Sequence, residues 1–203
     1  MNQDDLIAKY YSLLAKWNEK MSLVSSARDE AEFRAKHVDD ALELIPFLSN
    51  ARTVLDLGTG AGIPGIIIKI ARPDIELTLL DSIRKKVSFC DEVIRRLGLD
   101  HIKAVCGRAE DDHVRTLLGR FDAIVSRATW QIEKYLTIST CYLNKSPSSR
   151  LIAMKGPSWR SELNAAKSAM QKLGVKLVET YEYELKGGER RCILAFGVKS
   201  VSS

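Results

Sequence analysis

Short apolar runs alternate with stretches of helical periodicity along most of this chain, and this alternation limits the possible folds more than any other feature. The runs occupy residues 53–57, 76–80, 102–106, 121–125 and 150–154. Helices between consecutive strands act as crossover connections, so the strands are expected to pair in parallel with helices on both faces of the sheet. Two longer runs, 175–185 and 190–198, flank Lys186-Gly187-Gly188-Glu189 and predict an antiparallel hairpin. The pattern therefore predicts an α/β fold with a mostly parallel seven-stranded sheet.

The first fifty residues have a different pattern, which is helical. A first helix is predicted by the spacing of four apolar residues, Leu6, Tyr10, Leu13 and Trp17. A second helical stretch covers residues 30–48. We therefore predict an N-terminal helical extension at 1–50 and a sheet domain at 51–203, which together form one compact unit. Within the sheet domain, Gly98 is a suitable stop for the helix that follows the second strand.

The composition of the 203 residues is that of a globular protein, with 45% hydrophobic residues and a formal net charge of +5. The start, MNQDDLIAKYYSLL, resembles no signal peptide, and no apolar run reaches the roughly 20 residues that span a bilayer. The four cysteines are scattered without a C-x-x-C pair or clustered histidines, which argues against a metal site and favours reduced thiols. We therefore expect a cytoplasmic monomer that binds no metal and no membrane, and whose mild positive charge permits a polyanionic partner.

A glycine-rich segment, VLDLGTGAGIPG, contains the first predicted strand and the turn after it, and it predicts a ligand site. The residues from Gly60 to Gly65 satisfy the pattern G-x-G-x-x-G. Asp81 ends the next strand, where dinucleotide-binding folds place a ribose-binding carboxylate, so this pattern alone makes NAD a candidate. A P-loop is excluded, because no Gly-Lys-Ser/Thr follows the glycines.

Asp56, two residues before Gly58, distinguishes between the remaining ligands. A carboxylate at that position would face a pyrophosphate, and like charges in a partly dry site repel each other. S-adenosylmethionine carries an ammonium and a sulfonium but no phosphate, so Asp56 is expected to accept hydrogen bonds from its amino-acid end, directly or through water. The C-terminal hairpin also weighs against NAD, because an ordinary dinucleotide-binding sheet does not need such a hairpin. The loop therefore predicts S-adenosylmethionine as the methyl donor.

Motifs along nearly the whole chain resemble those of the RsmG family, also called GidB. The segments that carry the resemblance are LLAKWNEKMSLVS (13–25), HVDDAL (37–42), LDLGTGAGIPG (55–65), LLDSIRKKVSF (79–89), GRAED (107–111), FDAIVSRA (121–128), AMKG (153–156) and GGERR (187–191). The departures from the family pattern are Met21-Ser22, Val24, Ala41 and Ile67. Members of this family methylate N7 of a guanine in the 16S RNA of the small ribosomal subunit. The resemblance implies that activity here, on a Rossmann-like class I methyltransferase fold.

The resemblance also implies which residues contact the donor. It assigns this role to Gly58, Ile63, Ala109, Glu110 and Arg127. The residues themselves add Gly60, which allows a close turn, and Asp81, which can bind both ribose hydroxyls. The alternative for Asp81 is a helix cap, which is weaker because Ser82 can serve as the cap. The alternative for Glu110 is that it merely opens a helix.

The residues after the fourth predicted strand, Ser126-Arg127-Ala128-Thr129, bear on the acceptor atom. They differ from the Asn/Asp-Pro-Pro-Tyr motif of enzymes that methylate exocyclic amines, and no cysteine forms the Pro-Cys pair typical of attack on pyrimidine C6. Guanine N7 has a nucleophilic lone pair and no proton. Methyl transfer to it requires only placement of the two reacting atoms and exclusion of water. We therefore assign no catalytic general base.

Basic residues near the predicted site are candidates for binding RNA phosphates. They are Arg84, Lys85, Lys86, Arg108, Lys155, Arg190 and Arg191. His37 and Asp40, three residues apart on a predicted helix, are expected to pair and to brace the extension against the donor fold. The alternative functions are methylation of another RNA, a protein or a small molecule, and nucleotide or RNA binding without catalysis.

Overall fold

The computed structural model describes residues 2–24, 27–127 and 129–198. The α-helices are α1 (Gln3–Asn18), α2 (Glu30–Phe33), α3 (Asp39–Leu42), α4 (Gly65–Ala71), α5 (Arg84–Leu97), α6 (Asp112–Leu118), α7 (Ile132–Ser139), α8 (Trp159–Ala165) and α9 (Lys167–Leu173). A π-helical segment covers Arg34–Val38, and 3-10 helices cover Ile45–Leu48 and Thr140–Tyr142. The strands are β1 (Thr53–Leu57), β2 (Glu76–Asp81), β3 (Ile102–Cys106), β4 (Ala123–Arg127), β5 (Arg150–Lys155), β6 (Val175–Glu184) and β7 (Arg190–Val198). None of these described helices is both long and apolar enough to cross a membrane.

The strands of the described chain form one seven-stranded sheet in the order β3-β2-β1-β4-β5-β7-β6. β1 pairs in parallel with β2 and β4, whereas β7 pairs antiparallel with β5 and β6. The predicted parallel sheet with a C-terminal antiparallel hairpin is therefore confirmed. The strand order reverses between β1 and β4, and open α/β sheets bind ligands at the carboxyl ends of the strands beside such a reversal.

The fourth strand begins two residues later than its apolar run indicates. We expected a strand at 121–125, but β4 comprises Ala123–Arg127. Asp122 explains the difference, because its carboxylate accepts hydrogen bonds of 3.0 Å from the backbone N–H groups of both Arg52 and Thr53. Asp122, the residue before β4, therefore bonds to the start of β1 through its side chain.

The stretch predicted to be helical at 30–48 is helical over most of its length, but it is not one regular α-helix. It consists of α2, the π-helical segment, α3 and the first 3-10 helix in succession. Pro46 lies in the first turn of that 3-10 helix and has no N–H to continue an α-helical ladder. The wider π-helical turn brings His37 into the interior, and Asp40 in the next turn is also buried.

Helix α5 ends where the sequence predicts. Gly98 follows its last residue in a left-handed conformation with φ 63°, which glycine adopts without steric cost. The apolar face of the helix buries Val87, Cys90 and Leu97, which identifies Cys90 as a core residue. Because the helix begins directly after β2, its first turn lies at the carboxyl edge of the sheet.

Helix α1 packs into the same core as the glycine-rich loop. Its residues Ile7, Tyr10 and Leu14 are buried, and they share a hydrophobic cluster with Ile63 of the loop. Tyr10 is completely buried, and its hydroxyl donates a 2.5 Å hydrogen bond to the carbonyl oxygen of Ala61. The extension therefore supports the loop directly, whereas the division of the chain at residue 50 stays a prediction.

Replacing Tyr10 with phenylalanine is expected to lower the free energy of unfolding by about 1–3 kcal/mol, because the buried carbonyl of Ala61 loses its donor. Urea denaturation measures this change. Tyr11→Phe is the matched control, since the Tyr11 hydroxyl makes a longer bond of 3.3 Å at an exposed position. Equal effects of the two substitutions would show that the bond to Ala61 does not support the loop.

Candidate functional site

A cleft of about 480 Å³ opens at the carboxyl ends of β1, β2 and β3. The residues that line it include four of the predicted donor contacts and two of the predicted RNA contacts, namely Gly58, Asp81, Ala109, Glu110, Lys86 and Arg108. The cleft also contains Thr129, Trp130 and Lys134, which our sequence analysis missed. Their position directly after β4, at the carboxyl edge of the sheet, is the signal that would have identified them. We call this space the donor cleft.

Gly58 forms the base of the donor cleft, in a conformation that glycine alone adopts readily. Its φ is +73°, and the backbone N–H groups of Gly58 and Thr59 both donate to the carbonyl oxygen of Leu80, at 2.9 and 3.0 Å. A β-carbon on Gly58 would lie 2.7 Å from Cγ2 of Thr129 and 3.2 Å from Cη2 of Trp130. The side chains of Thr129 and Trp130 therefore pack directly against the backbone of Gly58, which only a residue without a β-carbon allows.

Asp81 connects the glycine loop to α5 at the edge of the donor cleft. One carboxylate oxygen accepts from the N–H of Gly60 and the other from the N–H of Ile83, both at 2.9 Å. Each oxygen retains a lone pair for a ribose hydroxyl. The prediction that Ser82 caps the helix is wrong, because Ile83 occupies the cap position and Asp81 binds its N–H.

Asp56 points into the protein, so it is not placed for the direct contact predicted with the amino-acid end of the donor, and the contact through water stays a prediction. The residue is completely buried, and its Oδ2 accepts from the Thr59 hydroxyl at 2.6 Å and from the Gly65 N–H at 2.9 Å. Burial raises the pKa of Asp56 to about 6, although both hydrogen bonds favour the charged form and lower it. Its function is to fix the shape of the loop.

Ala109 and Glu110 lie in the turn between β3 and α6, on the wall of the donor cleft. The helix begins at Asp112, so Glu110 precedes it and does not open it. The carbonyl of Ala109 accepts a 2.8 Å hydrogen bond from the Tyr142 hydroxyl, which holds the turn in place. Glu110 forms an exposed ion pair with Lys134 at 3.3 Å.

Gly60, Ile63 and Arg127 are not among the residues that line the donor cleft, so their donor contacts stay predictions. Ile63 is buried beneath the loop, and its peptide bond to Pro64 is cis. Arg127 instead lines a neighbouring cleft of about 340 Å³, which we call the second cleft. Ala128, which follows it in the quoted motif, lies outside the described residues.

The second cleft is organised around the guanidinium of Arg127. Its Nη1 donates to Nδ1 of His37 at 2.9 Å and to Oδ2 of Asp40 at 3.2 Å. The other oxygen of Asp40 accepts from the Tyr183 hydroxyl at 2.6 Å, and burial followed by the charge of Asp40 raises the pKa of that phenol. His37 and Asp40 thus attach the helical extension to β4 and β6, as the predicted brace requires.

The predicted RNA contacts differ in their accessibility. Lys155 is buried, and its ammonium donates to the carbonyl of Trp130 and, at 2.7 Å, to Glu162. It is therefore unsuited to bind a phosphate, in contrast to the prediction, because its charge holds β5 to α8. Arg191 is paired with Glu189. The remaining candidates lie at or near the surface, and they are Arg84, Lys85, Lys86, Arg108 and Arg190.

Metal ligands do not cluster in the described residues, where no group of three or more His, Cys, Asp or Glu side chains is suitably placed. The site consists of a glycine loop, the carboxylate of Asp81 and an open cleft at the carboxyl ends of parallel strands. In fold, the chain is similar to an S-adenosylmethionine-dependent methyltransferase from Aquifex aeolicus, with a TM-score of 0.59 and 19% identity over 82% of this chain and 93% of that one. The fold and the site together define an S-adenosylmethionine-dependent methyltransferase.

Sequence comparison gives the family within this class. Residues 3–193 match the GidB family, described as rRNA small subunit methyltransferase G. The chain is 40% identical to the ribosomal RNA small subunit methyltransferase G of Clostridium perfringens (strain 13 / Type A), over 88% of this chain and 74% of that protein. It is 35% identical to the protein of that name from Desulfotalea psychrophila, over 91% and 85% of the two chains. The chain belongs to the GidB family, and its methyl donor is S-adenosylmethionine.

Replacing Gly58 with alanine is expected to abolish measurable donor binding, because the added β-carbon meets Thr129 and Trp130 at a positive φ. Isothermal titration calorimetry with S-adenosylmethionine measures the effect. Gly174→Ala is the control: its left-handed conformation, with φ 64°, imposes a backbone strain of about 1–2 kcal/mol, but no atom lies within 4 Å of the added carbon. A folded Gly58→Ala protein with normal affinity would refute the assignment of the loop.

Asp56→Asn is expected to change the pH dependence of stability. The unfolded carboxyl ionises near its ordinary pKa of 3.8, whereas the folded one keeps its proton up to about pH 6. Between these values only the unfolded chain releases the proton, so the free energy of unfolding of the wild type falls as the pH rises. The free energy of unfolding of the wild type minus that of the variant should therefore decrease by about 2 kcal/mol from pH 4 to pH 7.

Chemical denaturation at several pH values measures that difference. Asp74→Asn is the control, because a hydrogen bond from Arg72 lowers the pKa of the exposed Asp74 to about 2. Stability derived from Asp74 is present above its unfolded pKa and disappears at lower pH, which is the opposite direction. The same pH profile for both variants would exclude a raised pKa at Asp56.

Proposed function

We propose that this protein transfers a methyl group from S-adenosylmethionine to N7 of a guanine in 16S rRNA, acting as a monomer in the cytoplasm. The names of its relatives support small-subunit ribosomal RNA as the substrate. The resemblance of its motifs supports guanine N7 as the acceptor. The substrate is either the RNA or the small ribosomal subunit that contains it.

The donor is proposed to lie across the carboxyl ends of β1, β2 and β3. Its methionine part would pack against the backbone of Gly58 and Gly60, and its ribose hydroxyls would bind Asp81. The adenine would lie against the turn at Ala109 and Glu110. The position of Gly58, Ala109 and Glu110 in the lining of the donor cleft and the lone pairs left on Asp81 support this orientation.

The observation that carries the proposal of N7 is the state of the proton acceptors beside the donor cleft. In the second cleft, both oxygens of Asp40 and Nδ1 of His37 already accept hydrogen bonds. Glu189 forms ion pairs with Arg191 and Lys36. A carboxylate that is held by an arginine and a tyrosine is a weak base, since proton uptake would break both contacts. Such a cleft suits an acceptor atom that has a lone pair and no proton to remove.

The RNA is proposed to bind through the accessible basic residues around both clefts. Arg84, Lys85 and Lys86 lie in the first turn of α5, and Arg108 follows β3. The exposed Arg190 begins β7, and Arg191 beside it lines the second cleft, where it is paired with Glu189. Contacts of these side chains with phosphates would give an affinity that falls with salt concentration.

Mapping 7-methylguanine in 16S rRNA tests the proposed function. RNA from cells that lack the protein should miss one 7-methylguanine that is present in cells with it. Expression of the wild type should restore the modification, and expression of the Gly58→Ala variant should not. An unchanged pattern of 7-methylguanine would refute the proposal. Loss of a methyl group at another atom would refute N7 while retaining an rRNA methyltransferase.

The rate of the bound chemical step is expected to vary less than twofold between about pH 7 and pH 9, because no general base has to lose a proton. Single-turnover kinetics with saturating enzyme and radiolabelled donor measure this step. The range begins at pH 7 because Asp56, with a pKa of about 6, titrates below it. A tenfold rise per pH unit within this range would indicate proton removal and an acceptor other than N7.

A further inference from the structure

A groove of about 630 Å³ lies between the end of α1 and α5, outside both clefts. The residues that form it are Lys16, Trp17, Lys20, Met21, Lys85 and Ser88, with Glu92 at its edge. We call it the Trp17 groove. The donor site leaves this segment unexplained, although LLAKWNEKMSLVS is one of the motifs that stand out in the sequence.

Trp17 and Asn18, which are neighbours in this motif, each make contacts that hold the local structure. The indole N–H of Trp17 donates to Glu92 at 3.1 Å, and its ring lies 5.4 Å from that of Phe89. Asn18 closes the following turn, because its Oδ1 accepts from the N–H of Leu23 at 2.8 Å and its Nδ2 donates to the carbonyl of Val24 at 2.9 Å. These contacts fix a half-buried aromatic ring in the wall of the groove.

The charges of the groove are unbalanced. Lys16, Lys20 and Lys85 are exposed, and none of them forms an ion pair with another described residue. The one carboxylate of the groove, Glu92, is already engaged by Trp17 and by Arg96 at 3.6 Å. Three ammonium groups beside a fixed aromatic ring are complementary to a polyanion that carries flat apolar groups. Single-stranded nucleic acids have this chemistry.

The groove is also adjacent to the donor cleft. Lys85 lines the groove, whereas Lys86, the next residue of α5, lines the donor cleft. The first turn of α5 therefore lies between the two spaces. A chain of phosphates that passes this turn would contact both lysines.

We propose that the Trp17 groove binds a single-stranded segment of the substrate RNA outside the target nucleotide. One base packs against Trp17 and Met21, and the flanking phosphates bind Lys16, Lys20 and Lys85. The volume is sufficient for a nucleotide, since small-molecule sites occupy about 300–1,000 Å³. This inference rests on the proposed function, because it takes RNA as the substrate.

The double variant Lys16→Glu/Lys20→Glu tests the phosphate contacts. Fluorescence anisotropy with labelled 16S rRNA transcript, measured over a range of salt concentrations, gives the affinity and its salt slope. The slope should decrease by about 1.4, and the affinity at 0.1 M salt should fall about 25-fold, because each phosphate contact of a single strand contributes about 0.7 to the slope. Affinity for S-adenosylmethionine should not change, and a higher RNA concentration should restore methylation.

The matched control is Lys167→Glu/Lys172→Glu, which makes the same change of charge on α9. Both of these lysines are exposed, and α9 packs in the hydrophobic cluster on the opposite face of the sheet from α1. Lys172 lies in the last turn of its helix, as Lys16 does, so the cost to the helix terminus is similar. An equal loss of RNA affinity in both double variants would indicate a general charge effect and would overturn the proposal.

Met21→Glu is a second variant, which puts a carboxylate into the groove without removing Trp17 from its contacts. It should weaken binding of the transcript at least tenfold, while circular dichroism shows a normal fold. Normal transcript binding by both groove variants would overturn the proposal. If they were impaired only on assembled small subunits, the groove would bind a protein, and the RNA proposal would be wrong. If the wild type binds the RNA but does not methylate it, the proposed function is refuted. The proposal that the groove binds RNA is then still tested by the affinity of the variants for the transcript.

Discussion

The hydrogen bonds of one buried carboxylate, that of Asp56, hold the loop on which the donor cleft depends. Its Oδ2 binds Thr59 and Gly65, so a single atom connects the two ends of the glycine-rich turn. A β-carbon at Gly65 would lie 2.7 Å from this oxygen, which explains why a glycine begins α4. The raised pKa of Asp56 shows that these bonds offset only part of the cost of its burial. The loop is thus shaped by a group that no ligand needs to touch.

Contacts from two other directions complete the support of this loop. β2 contributes the carbonyl of Leu80 and the carboxylate of Asp81, which accept three backbone N–H groups of the loop between them. α1 contributes the hydroxyl of Tyr10 from the opposite side. The helical extension is therefore part of the donor site in energetic terms, even though it contributes no residue to the donor cleft. A preformed loop of this kind binds its ligand without an ordering cost at the moment of binding.

The periodicity of the sequence predicted most of the fold, but it did not predict which side chains bind each other. Strands β1 and β3 have the predicted bounds, since apolar runs between helices leave few alternatives. The start of β4 was misplaced because Asp122 binds a neighbouring strand, a contact that spacing does not reveal. Asp56 and Lys155 were placed on the correct strands but were predicted to face ligands. Position along a strand identifies the edge of the sheet at which a residue lies, but partners distant in the sequence determine whether its charge is turned inward.

The connection after β4 separates the two clefts, and it contributes to both. Thr129 and Trp130 line the donor cleft, while the carbonyl of Trp130 is held by Lys155, which lines the second cleft beside Arg127. A shift of this wall that enlarges one space must reshape the other. If the acceptor nucleotide binds in the second cleft, as the proposed function implies, donor and acceptor change each other's binding free energy through this wall by the same amount, because such coupling is reciprocal. Two ligands that meet only at a methyl group would thereby sense each other through the protein as well.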